Sequence, residues 1–395
     1  MLRGSGGTIL PKPPTRVLGR VRGPRPGPTL LAIGGMHGNE PAGVLGLQGV
    51  VASLGRYREG LAGELVALSG NRGALGEGRR FLRADLNRIW TRERVRRLQE
   101  NGGGAELADE AAEQLELLRA LQAVAAEARG PLYVLDLHTT SATSGPWGTV
   151  EDTLRSREFA MNFPVPIVLG LEEQVDGTLL EFFARMGHVS LTFEGGRHDD
   201  PCAVERSADA VWIGLSAAGI LGGEEVPEVR RARERLARET REHPRVLEMR
   251  YRHGIGPDDG FRMRPGYVNL QPVRAGEVVG RDRRGEVQAP ESGRLLMPLY
   301  QEQGEDGFFV VREFRPFWLR VSAMARRLGL GRFVHWLPGI RRASPESDIL
   351  VVDRRVARWF ALDILHLLGY RKQREMGDLL LVLRRTEDEV RPGPP

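Results

Sequence analysis

From residue 29 to residue 222, short apolar runs alternate with longer stretches of helical spacing. The runs at 29–33, 64–68, 132–137, 167–171 and 189–193 have strand length, and those at 41–54, 105–128, 153–162, 177–186 and 202–221 have helix length. Strands alternating with helices predict an α/β domain, placed at 16–223. The 105–128 stretch follows three glycines, and its Ala, Leu and Glu content suits a packing helix.

The texture changes twice beyond this domain. Residues 224–245 are dense in charge and read as an exposed connecting helix. Short β-like runs then follow at 246–255, 266–273, 277–281, 286–289, 294–297 and 308–313, broken by Gly, Pro and Asp, which predicts a small β-barrel over 246–314. A last region, 315–395, opens with seven arginines and no acid between 315 and 342, interleaved with Phe317, Trp318, Met324, Leu328, Phe333 and Trp336. That pattern suits contact with anionic lipid or nucleic acid. It suits equally well an amphipathic helix packed on its neighbours with its arginines in water, which is the simpler reading. Runs at 348–352, 356–368 and 379–383 then predict a compact β-α-β appendage, to which no role is assigned.

Composition narrows the chemistry. At 395 residues, 41% hydrophobic and 28% charged, the chain is long and apolar enough for two or three folded units. The net charge is only +5, and without the 315–342 segment it is −2, so the basicity is local. Lysine occurs only at Lys12 and Lys372, so anion sites would be built from arginine. A single cysteine, Cys202, excludes an intramolecular disulfide and a Cys-rich zinc knuckle, so any metal site must use His, Asp and Glu. Neither a signal-peptide pattern nor an uncharged apolar run of about 20 residues is present, which leads to the expectation of a cytoplasmic protein.

Four places carry the candidate chemistry. In Gly34-Gly-Met-His-Gly-Asn-Glu-Pro, an apolar strand runs into glycines, and His37 and Glu40 stand three residues apart as natural zinc ligands. His138 ends the run Pro131-Leu-Tyr-Val-Leu-Asp-Leu-His and is the best third ligand, with Asp136 on the same side of the strand to orient a ligand. Glu194, before Gly195-Gly196, ends another strand and suits a general base. In the loop after the second strand, Arg80 suits oxyanion stabilisation, while Arg88 and Asn87 suit a substrate carboxylate.

Each residue alone has an ordinary reading: a histidine at a strand end is commonly a hydrogen-bonded structural residue, and a glutamate before two glycines a turn carboxylate. Three strand ends meeting at the carboxyl edge of an α/β sheet, where ligands bind, argue for function. His188, His198, His243, His253, His335 and His366 are assigned to structure. Arg197 is a weak candidate for contact with an acidic acyl chain.

Taken together, Gly35-Met-His-Gly-Asn-Glu-Pro-Ala-Gly, Asp85-Leu-Asn-Arg, Asp136-Leu-His-Thr-Thr and Phe193-Glu-Gly resemble the succinylglutamate desuccinylase/aspartoacylase family of zinc carboxypeptidase-like hydrolases. The resemblance covers residues 16–314. It implies a mixed-sheet α/β hydrolase domain followed by a β-barrel, with one Zn2+ per chain on His37, Glu40 and His138. It also implies Glu194 as the catalytic glutamate, Arg80 polarising the scissile carbonyl, and Asn87 with Arg88 on the substrate carboxylate. The implied activity is deacylation of a small N-acyl amino acid or similar amide, with no nucleic acid as partner. A zinc metallocarboxypeptidase acting on short peptides, and a binding protein with a residual metal site, stand as alternatives.

Overall fold

The computed structural model describes residues 12–100, 109–344, 349–353, 355–356, 364–365 and 367–384. The first part of the chain forms β1 (Val17–Arg22), β2 (Arg25–Gly34), α1 (Ala42–Leu54), β3 (Ala62–Ser69), α2 (Arg72–Glu77), α3 (Arg92–Glu100) and α4 (Glu110–Glu127). Next come β4 (Leu132–Thr140), β5 (Trp147–Val150), α5 (Leu154–Ala160), β6 (Ile167–Leu169), α6 (Leu179–Arg185), β7 (Val189–Arg197), α7 (Cys202–Ala217) and α8 (Pro227–Thr240). A β-rich part follows: β8 (Val246–Gly254), β9 (Arg262–Met263), β10 (Pro272–Val273), β11 (Val278–Asp282), β12 (Gly285–Gln288), β13 (Gly293–Leu296) and β14 (Asp306–Glu313). The last described elements are α9 (Pro316–Arg327), β15 (Ile340–Arg342), β16 (Ile349–Asp353), β17 (Tyr370–Met376) and β18 (Leu379–Arg384).

The main sheet is mixed and runs β1-β3-β2-β4-β7-β5-β6-β8-β14-β13-β10 among the described residues. Its centre, β3, β2, β4 and β7, is parallel. Alternation along these strands sends side chains to two separate cores. Leu30, Ala32, Leu135, Leu137, Leu191 and Phe193 pack toward α1, α7 and α8. Leu31, Ile33, Val134 and Leu132 pack toward α3, α4 and α6. Helices on both faces explain why these runs are continuously apolar. Asp136, His138, Thr192 and Glu194 share the parity of the second set, which places the candidate chemistry on the α4 and α6 side.

The sequence-based elements of the α/β domain are present, with small shifts at their ends. Residues 105–108 of the expected 105–128 helix lie outside the described residues, and α4 covers the rest. Strands β1 and β5 and helices α2 and α3 were not anticipated. β1 is a half-exposed edge strand, β5 has four residues, and α2 has six with two glycines, so none carries a clear period.

One expectation about the remainder needs correction. The helix expected to be an exposed connector forms as α8, but it buries Val229, Ala232, Leu236 and Thr240 along one stripe in the core shared with α7. The 246–314 segment is joined to the main sheet, because β8 pairs with β6 in parallel and β14 and β13 continue the sheet from it. Only β9, β11 and β12 form a separate three-stranded sheet, whose Met263, Val279 and Val287 share one core with Leu295, Phe308 and Val310 of the main sheet. At the carboxyl end the described strands β15-β16-β18-β17 are all antiparallel, and β16 and β18, the two expected strands, pair with each other; residues 364, 365 and 367 between them are helical. Most of the expected 356–368 helix, and His366, lie outside the described residues.

Candidate metal centre and catalytic cleft

The loop after β2 turns at Gly35, whose φ of +75° favours glycine, and delivers His37 and Glu40 to the carboxyl edge of the sheet. The segment 74–80 clasps this loop. Gly38 N–H donates to Arg80 O at 3.1 Å, and a Cβ at Gly38 would sit 2.0 Å from the Ala74 carbonyl carbon. His138 arrives from β4, and Glu194 lies directly beside it on β7 in the ladder register.

His37, Glu40 and His138 are all buried, and one ligand atom from each lies within 4.8 Å of the others. Glu40 sits between the imidazoles: Oε1 is 2.8 Å from His37 Nδ1, Oε2 is 3.0 Å from His138 Nδ1, and Oε2 also accepts the Thr139 N–H at 2.9 Å. The far nitrogen of each ring is held by a second carboxylate, His37 Nε2 by Asp85 Oδ1 at 3.1 Å and His138 Nε2 by Asp136 Oδ2 at 2.8 Å. Carboxylates placed this way fix ring orientation and leave both Nδ1 atoms turned to a common centre, the arrangement that metal-ligating histidines require. Two imidazoles and a carboxylate suit zinc and leave room for a fourth, exchangeable ligand.

The electrostatics agree with a cation site. Burial raises the Glu40 carboxyl, but the His37 and His138 charges and hydrogen bonds outweigh it and hold the group well below the usual range. Asp85 behaves alike, with burial outweighed by His37 and Arg80. Burial pushes the His138 imidazole down, yet Asp136 and Glu40 lift it well above its ordinary value. Glu40, Asp85 and Asp136 are buried around the two imidazoles, negative charge that a divalent cation complements.

Glu194 is different. Burial pushes its carboxyl up to about 8, against the opposing pull of His138 and Arg80, and its Oε2 is buried without a hydrogen-bond partner. A buried carboxyl oxygen left unpaired beside a metal-binding set is poised to take a proton.

Arg80 and Arg88 both line the cleft, with protein partners. Arg80 donates from Nε and Nη2 to Asp85 Oδ2 at 3.1 and 2.8 Å, and its Nη1 lies 3.7 Å from Glu40 Oε1. Arg88 Nη2 donates to Asp306 Oδ2 at 2.9 Å, and Asp306 also accepts from Arg252 Nε at 2.5 Å. The Asn87 side chain accepts the Leu179 N–H at 2.8 Å, so that it anchors the start of α6. All seven expected site residues line one cleft, which encloses about 920 Å3 including solvent at its mouth. Arg197 is not among its walls; it is exposed and pairs with Asp199.

Three contributors went unforeseen. Asp85, the first residue of Asp85-Leu-Asn-Arg, links His37 to Arg80. Buried Glu110, at the start of α4, accepts the backbone N–H groups of Leu82, Arg83 and Ala84 and so shapes the loop that carries Arg80 and Asp85. His198, assigned to structure, also lines the cleft; its ring bonds Thr139 Oγ1 at 2.8 Å and Gln301 Oε1 at 3.1 Å, and burial lowers its pKa. Its position after Glu194-Gly-Gly was the available signal, whereas Gln301 lies 103 residues further on.

Comparison with known proteins bears on the domain and its fold. The profile of the Succinylglutamate desuccinylase/Aspartoacylase catalytic domain matches residues 26–208. Among solved structures, a succinylglutamate desuccinylase/aspartoacylase from Rhodobacter sphaeroides superposes with a TM-score of 0.54 at 18% identity, covering 75% of this chain and 88% of that one. The product-bound ectoine utilization protein EutE (DoeB) from Ruegeria pomeroyi gives 0.53 at 20% identity, covering 73% and 86%. Succinylglutamate desuccinylase from Vibrio parahaemolyticus gives 0.51 at 16%, covering 74% and 82%. At these identities the structures establish a shared mixed α/β fold. No curated protein sequence matches the chain. Residues 26–208 of this chain are therefore similar to the catalytic domain of the succinylglutamate desuccinylase/aspartoacylase family, the family its motifs resemble.

Proposed function

We propose that the protein is a zinc-dependent amidohydrolase that removes the acyl group from an N-acyl amino acid or a closely related amide. The observation that carries this reading is the convergence of His37, Glu40 and His138 beside an unpaired Glu194 in one cleft. A zinc ion held by the three ligands supplies Lewis acidity toward water and a carbonyl oxygen. Glu194 Oε2 takes the proton from the attacking water and returns it to the leaving nitrogen. Arg80, fixed by Asp85, directs positive charge at the oxygen of the scissile carbonyl. Arg88 and Asn87 orient the amino-acid carboxylate, with the guanidinium sharing its donors between that group and Asp306.

The cleft also bears on the acyl group. Leu171, Val175, Leu180, Met297, Leu299 and Phe309 line it, and the two arginines in its wall already face Asp85 and Asp306. An uncharged acyl chain is therefore favoured over one with a second carboxylate, which would lack an unshared cation. A panel of N-acetyl, longer N-alkanoyl and N-succinyl amino acids, with short peptides as controls, tests both points. Faster hydrolysis of the uncharged acyl amino acids supports the reading. Preference for peptides would move the assignment to a metallocarboxypeptidase, and zinc binding without hydrolysis of any substrate would leave a binding protein. The cytoplasm is the compartment inferred; among the described residues no helix is long and apolar enough to cross a membrane.

A further inference from the structure

Helix α9 carries large apolar side chains on its exposed side as well as its inner one. The inner side is fixed to the protein by Leu319 against the main core, by buried Ala325 and by polar contacts: Ser322 Oγ donates to Leu367 O at 2.7 Å, Arg157 Nη1 donates to Ser322 Oγ at 3.1 Å, and Arg326 pairs with Asp152 at 3.0 Å. The opposite side carries Phe317, Arg320, Met324, Arg327 and Leu328, spaced i, i+3, i+7, i+10 and i+11, which is one helical face. Phe317 is 64% exposed and Met324 61%, and in the turn that follows Phe333 is 43% and Trp336 73% exposed. More than half of the exposed large apolar side chains among the described residues fall within 317–336. Isolated exposed apolar residues are ordinary, but a contiguous patch of this kind marks an interaction surface. Arginines are interspersed through it, and no acid occurs from 315 to 342.

We propose that α9 and the turn after it dock the protein on an anionic phospholipid surface, with the exposed aromatic and aliphatic side chains in the headgroup boundary and the exposed Arg320 and Arg327 on lipid phosphates. Three arguments favour lipid. A two-fold contact between copies of this chain would lay the patch on itself and set arginine against arginine. Nucleic acid would satisfy the arginines and some rings, but it offers nothing to Met324, Leu328 and Leu330. A membrane boundary takes apolar side chains and cations together, which is the composition found here.

The place of the patch in the fold leaves the cleft free. β5 runs antiparallel to β7 with Trp147 opposite Glu194, so Asp152, where Arg326 anchors α9, lies beyond the end of β5 remote from Glu194. Docking at α9 therefore tethers the molecule without covering the cleft. This inference does not rest on the hydrolase reading.

Co-sedimentation of the full chain with phosphatidylcholine vesicles, with and without phosphatidylserine, tests it. The expected result is binding only where phosphatidylserine is present, weakened by salt and accompanied by a blue shift of tryptophan fluorescence. Arg320→Glu with Arg327→Glu should lower partition at least roughly 25-fold, at about fivefold for each charge. Phe317→Ser with Trp336→Ser should lower it about tenfold or more. All four side chains are exposed, so circular dichroism and hydrolysis of a soluble substrate should be unchanged in both variants. Failure to bind phosphatidylserine vesicles at low salt, or equal binding to pure phosphatidylcholine, would overturn the proposal. So would concentration-dependent self-association lost in the same variants, or tighter binding to duplex DNA than to the vesicles.

Discussion

A carboxyl oxygen buried without a partner is expensive to keep, and Glu194 Oε2 is one. Its cost is intelligible if the group handles a proton, so Glu194→Gln should reduce turnover about 10^2- to 10^4-fold while leaving metal content unchanged. Turnover and metal content assayed on the same preparation check this; a large loss of metal would instead make Glu194 structural. Asp85 and Asp136 act one step back, through the far nitrogens of the two histidines. Asp136→Asn and Asp85→Asn should each weaken zinc binding about 10- to 100-fold, read by titration against a metal buffer. The Asp85 variant should also slow turnover at saturating zinc, because Arg80 loses the partner that aims it. The two aspartates differed in legibility. Asp136 shares a strand and a face with His138, so alternation revealed it. Asp85 reaches His37 across 48 residues through a loop whose path no local pattern dictates.

Among the elements, the clasp between the 35–40 loop and the 74–80 segment sets the position of the ligands. A methyl group at Gly38 would meet backbone, which cannot swing aside. Gly38→Ala should therefore cost a few kcal/mol in denaturant unfolding and weaken zinc binding together. At the far edge of the sheet, buried Glu64 on β3 faces Arg20 and Arg22 on β1. Burial raises its carboxyl, yet the two arginines outweigh that and lower it to about 2. A folded-state value below the unfolded one means the stabilisation is present above about 4.5 and is lost as pH falls toward 2. Glu64→Gln should thus destabilise the protein by about 2 kcal/mol at neutral pH, with the deficit shrinking in acid, as urea unfolding at several pH values would show. A deficit that did not change with pH would assign the loss to packing. Element type was legible because the period of apolar positions reports it, as in β2 and α1. Strand partners were not: nothing in the run that became β8 says that it pairs with β6 and so joins the segment 246–314 to the main sheet.

At the scale of the whole molecule, a ligand that binds only the folded state stabilises it by mass action, about 4 kcal/mol at a thousandfold excess over Kd. Zinc should therefore raise Tm by a few degrees, a chelator should reverse the rise, and His138→Ala should abolish it. The carboxyl edge of the sheet, with His37 in the loop after β2 and His138 and Glu194 on the neighbouring β4 and β7, was foreseeable because chain order and strand ends are both written in sequence. The wall that faces them was not. Gln301, Asp306 and Phe309 join the cleft only through the packing of a part of the chain more than 100 residues away, and the same packing brings His198 into the site. The hydrolase reading depends on one metal-binding centre served by Glu194. The most direct measurement is zinc stoichiometry and N-acyl amino acid hydrolysis on the same preparations of wild type, Glu40→Ala and Glu194→Gln. The account predicts about one zinc per chain with turnover in the wild type, zinc without turnover in Glu194→Gln, and neither in Glu40→Ala. Wild-type protein that takes up no zinc, or a Glu194→Gln enzyme as fast as wild type, would contradict it.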